Sequence, residues 1–93
     1  MDVKTAVGTA KQWLVNTLTD ESISNVGLEE VEFDEERGVW LITIGFSRPW
    51  NTVKNAFTVL SGEPAARRAY RVIAVQEPDG KVVSMKRLQG TDD

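Results

Sequence analysis

Between positions 48 and 71 the sequence interleaves aromatic and basic side chains: Arg48, Trp50, Lys54, Phe57, Arg67, Arg68 and Arg71, with Glu63 as the one acid. Aromatic rings and guanidinium groups are the side chains that most often anchor protein partners, and the same pairing can stack on bases and neutralise phosphates. A protein partner is favoured, because an isoelectric point near 4.9 opposes the strong positive field that nucleic acid requires. Trp50 and Phe57 also suit a plainer task, closing the core beneath a loop.

The carboxylates lie elsewhere. From Asp20 to Glu36 there are eight acids and no base. Those at 29, 30, 32, 34, 35 and 36 could offer oxygen ligands to a divalent cation, but they lack the spacing and central glycine of a calcium loop. As a general acid and base they would need a desolvated cleft, whereas they crowd a polar turn. An acidic half and a basic segment can steer a charged partner or favour head-to-tail contact between copies.

Cysteine and histidine are both absent. Disulfides, thiolate nucleophiles and cysteine-bound metals are thereby excluded, together with the commonest proton shuttle near neutral pH. The seven glycines are scattered and form no phosphate-binding loop. The inventory points away from catalysis and predicts no metal and no cofactor.

The elements that carry these residues follow from periodicity. Val3, Ala6, Val7, Ala10, Trp13, Leu14, Thr17 and Leu18 recur at three and four, so they predict an amphipathic helix with Asp2 as its cap. Val26 and Leu28 share one parity and Val31 and Phe33 the other, which predicts a strand with a bulge near Glu29 and Glu30. A turn at 34–38 leads to a strand at 39–47, where Trp40, Ile42, Ile44 and Phe46 share one face and Pro49 halts the ladder. Residues 70–76 and 81–88 form a closing hairpin about Glu77-Pro78-Asp79-Gly80. Between the 39–47 strand and this hairpin, Val53, Ala56, Phe57 and Leu60 suit a short helix at 52–60, and residues 56–60 could alternatively be a strand.

These elements predict one α+β domain over 1–93, α-β-β-β-β, with the N-terminal helix packed on one face of a curled antiparallel sheet of about four strands. The other face, with Val39, Leu41 and either Val72 or Ile73, must meet water, the 50–60 segment or another subunit, so a homodimer is one expectation. No apolar run approaches the about 20 residues that span a bilayer, and the N-terminus lacks the pattern of a secretory signal. No membrane role and a cytoplasmic location are expected. Two functions compete: a non-catalytic protein-interaction module acting through the 48–71 segment, and a small-molecule site or small enzyme with an apolar pocket lined by Trp13, Trp40 and Phe46.

The run Y-R-V-I-A-V-Q-E-P-D-G-K-V-V-S-M-K, together with the helix before the sheet, resembles the closing hairpin and plan of PepSY-type and other cystatin-like domains. About two thirds of the chain can be laid on that plan. The long 48–68 segment departs from it, as does the lack of an export signal. The chain also looks somewhat like gas vesicle accessory proteins of the O type and like small bacterial immunity proteins. These likenesses imply a binding or regulatory domain without chemistry of its own.

Overall fold

The computed structural model describes the backbone of residues 1–52 and 66–89 and the side chains of 1–49 and 68–89. The sequence begins with a capped helix because Asp2 is extended and its carboxylate accepts the Thr5 amide at 2.8 Å. This hydrogen bond, from an amide at the positive helix end, holds the Asp2 carboxyl below the usual range. Helix α1 runs over Val3–Thr17. It buries Ala6, Ala10 and Leu14 completely, with Val7, Trp13 and Leu18 packed around them. Val3 and Thr17, which share the apolar spacing, remain exposed. After Leu18 the chain makes a 3-10 turn at Thr19–Glu21 and then passes Ser22 in the left-handed region.

Four strands follow: β1 (Ser24–Asp34), β2 (Val39–Thr52), β3 (Ala66–Gln76) and β4 (Val82–Arg87). They form an antiparallel sheet in the order β1-β2-β3-β4, so each strand pairs with its neighbours in sequence and β2 is central. The β1–β2 and β3–β4 turns use glycine where a positive φ is required, +66° at Gly38 and +71° at Gly80. The expected bulge is present, since Leu28 pairs with Ile44 and Glu30 with Thr43, leaving Glu29 as the extra residue. A second irregularity lies between Ser24 and Gly27, where Asn25 takes a φ of +54° and its amide donates to Ser47 Oγ at 3.3 Å.

The core lies between α1 and one face of the sheet. Ile42, Ile44 and Phe46 of β2 and Ala69, Ile73 and Val75 of β3 are fully buried there, with Trp40, Val82 and Met85 partly buried around them. On the other face Val39, Thr43, Ser47 and Ala74 are also buried, with no helix over them among the described residues. Val72 belongs to that face and Ile73 to the core.

Pro49 does not end β2. It breaks the ladder only locally: the four residues between Ser47 and Thr52 stand against one, Arg67, between Arg68 and Ala66, after which pairing resumes. A residue without an amide hydrogen is tolerated there because the extra chain bulges out of the ladder. The third strand accordingly starts at Ala66 rather than Tyr70. The short helix or strand read in the 52–60 segment lies outside the described residues, except that Thr52 closes β2.

A candidate interaction surface beside strand β1

The basic and aromatic residues singled out in the sequence divide between two faces. Phe46 points into the core, and the guanidinium groups of Arg48 and Arg71 lie 5.9 Å and 5.7 Å from its ring centre. Arg48 is itself buried, and Arg71 donates to the Tyr70 carbonyl at 2.8 Å. Arg68, one residue before the core residue Ala69, turns to the opposite face and approaches Glu29 at 3.8 Å. Its Nη2 and the Tyr70 ring cover Gly45, where an added Cβ would meet them at 2.8 Å and 3.0 Å. Trp50 and Arg67 lie on β2 and β3 with side chains outside the described residues, and Lys54 and Phe57 are outside them altogether. Parity along β3 therefore separates Arg68 from Arg71, which adjacency in sequence had joined.

Of the aromatic trio, Phe46 is fully enclosed in the core, with Trp13 and Trp40 packed against that core. Trp40 stacks at a tilt on Phe33, centroids 4.9 Å apart, and donates its indole N–H to Glu77 Oε2 at 2.7 Å. The other oxygen of Glu77 takes the N-terminal ammonium at 2.6 Å. These bonds, the ammonium first, hold the Glu77 carboxyl below the usual range.

An accessible apolar concavity occurs elsewhere. Helix α1 crosses β1, β2 and β3, and its flank and strand β1 form a shallow, open groove of about 380 Å³ lined by Val3, Lys4, Val7, Gly8, Lys11 and Leu28. Val3 is 41% exposed and Leu28 is 42% exposed. Gly8 keeps the groove open, since nothing lies within 4 Å of the position its Cβ would occupy. Beyond Leu28 the same side of β1 presents Val31, 37% exposed, and Phe33, 38% exposed. The strand that bears them is an edge of the described sheet, pairing with β2 alone, so its outer backbone groups have no ladder partner among the described residues. Lys4 and Lys11 rim the helix side of the groove, whereas Glu30 and Glu32 stand on the opposite face of β1.

The surface was missed at the sequence level for a physical reason. Val3 and Leu28 read as ordinary core positions, and only the docking of α1 over β2 and β3 decides that they are left uncovered. The carboxylates at 29–36 are spread along β1 and its turn, and among the described residues no three metal-binding side chains converge. No helix among them is long and apolar enough to cross a membrane. Comparison with protein families, with curated proteins and with solved structures finds no match for this chain.

Proposed function

We propose that this chain is a non-catalytic protein-interaction module that receives an extended segment along the open edge of β1, with apolar side chains of that segment seated in the neighbouring groove. The carrying observation is the line Val3, Leu28, Val31 and Phe33, four large apolar side chains each more than a third exposed beside one strand edge. Strand addition draws affinity from main-chain hydrogen bonds and specificity from pockets for alternate side chains, and edge and groove supply one of each. A regulatory, accessory or immunity role in a cytoplasmic setting belongs to the same proposal, as does kinship with PepSY-type and cystatin-like domains.

The test uses peptides selected from a random display library on the folded protein. Selected peptides should alternate apolar and polar residues and should lose at least about tenfold in affinity on Gly8→Leu, a change that fills the groove while improving helix propensity. Binding of equal strength to Gly8→Leu and to Leu28→Asp, both folded by circular dichroism, would remove the proposal. A small apolar ligand is the second reading, favoured by a volume within the about 300–1,000 Å³ of ligand pockets. It requires a metabolite that raises the melting temperature of the wild type and not of Gly8→Leu.

A further inference from the structure

The registers of the three ladders place residues from all four strands in rows across the sheet. On the face turned away from α1 one row reads Glu30, Thr43, Val72, Lys86. On the helix-bearing face the next reads Val31, Ile42, Ile73, Met85, and another reads Phe33, Trp40, Val75, Val82. Of the five rows that run through all four strands, these three begin on the β1 edge and end on the β4 edge with complementary side chains, acid with base or apolar with apolar, whereas Glu32 ends opposite Ser84 and Leu28 opposite Arg87. Glu30 and Lys86 are exposed, Met85 and Val82 half-buried, and the extra residues at Glu29 and beside Val82 interrupt neither of the first two rows.

We propose that the segment received by β1 is strand β4 of a second copy of this chain, so that copies associate head to tail and the sheet continues from one to the next. This rests on the reading of β1 as a strand-accepting edge. The strands alternate in direction, so β4 of one copy set beside β1 of another without turning either over is antiparallel, like every other pair in the sheet. At the level where the rows line up, Lys86 faces Glu30, Met85 faces Val31 and Val82 approaches Phe33. Symmetric alternatives are disfavoured by charge. Two β1 edges paired about Val31 would set Glu30 directly against Glu32, and two β4 edges paired about Lys86 would set that lysine against its own copy. A heterologous contact of this kind does not close on itself at two copies, so growth beyond a dimer follows.

Sedimentation velocity of the full chain from low to high micromolar in low salt tests this. The wild type should show an average mass that rises with concentration without a plateau at the dimer, and that falls as salt screens the edge charges. Glu30→Lys and Lys86→Glu should each sediment as folded monomers, because each sets like charges against one another. An equimolar mixture of the two, and the chain carrying both changes, should regain association. A wild type that stays monomeric throughout, a dimer that survives both reversals, or a mixture that fails to recover would overturn the inference. Should the wild type be monomeric yet still bind display-selected peptides in a manner sensitive to Gly8→Leu, β1 remains a strand acceptor and only the second copy is dismissed. Loss of both results dismisses both proposals.

Discussion

Glu77 Oε2 accepts the indole N–H of Trp40 at 2.7 Å, joining the β3–β4 turn to the start of β2 across 37 residues of chain. With its other oxygen on the N-terminal ammonium, this one carboxylate fastens the beginning of the chain and the first residues of β2 to the same turn. Met1 also leans on that turn, its Cε 2.8 Å from where a Cβ on Gly80 would stand.

The carboxylate predicts an acid dependence. Because the folded protein holds the Glu77 pKa below its unfolded value, its contribution is present in full above the ordinary range of about 4 to 4.5 and is lost as pH falls through the depressed folded value. Glu77→Gln should therefore melt below the wild type at neutral pH, with the gap closing in acid. A gap that stays constant to low pH in melting curves would contradict this origin.

Leu14 is fully buried between the helix and the sheet, so truncation leaves a cavity beneath α1. Leu14→Ala should cost about 2 to 5 kcal/mol, and a domain of this size loses about 4 to 8 °C of Tm per kcal/mol, hence at least about 8 °C by calorimetry. A loss below about 1 kcal/mol would mean that the helix is not packed as described.

Gly45 lies under the Arg68 guanidinium, the Tyr70 ring and the Glu29 carboxylate. The guanidinium can swing aside and the ring edge has less freedom, so Gly45→Ala should destabilise the wild type more than it destabilises Arg68→Ala. The coupling should reach about 0.5 kcal/mol or more in a double-mutant cycle by urea unfolding. Additivity would show that Arg68 does not rest there in solution.

Gly38 turns from β1 to β2 with φ +66° and open space around it. Gly38→Ala should cost about 1 to 2 kcal/mol from backbone strain alone. Gly38→Asn should recover part of that, since asparagine tolerates the left-handed region better. Equal unfolding free energies for the two variants would place the strain elsewhere.

Much of the architecture could be read from local pattern. The helix with its Asp2 cap, the glycine turns at 38 and 80 and the bulge at Glu29 are each set by residues a few positions apart, where periodicity and φ preference act directly. The candidate surface was less legible. Arg68 and Arg71 look like one basic cluster until strand parity sends them to opposite faces. Pro49 looks like a strand end until the bulge lets pairing resume at Thr52. The rows that match Glu30 to Lys86 depend on three registers at once, and no window of sequence contains all three.

The order of the four strands carries a consequence for how the chain is made. Each ladder joins neighbours, so the sheet can zip up from successive hairpins, a topology that favours rapid folding. Helix α1 is the exception. It precedes all four strands in the chain, yet Ala69, Ile73 and Val75, part of the surface on which it rests, belong to the third strand. On the ribosome its apolar stripe can be covered only in part, by β1 and β2, until β3 has emerged, and that interval is when a nascent chain is most open to chaperones or to mispairing with another.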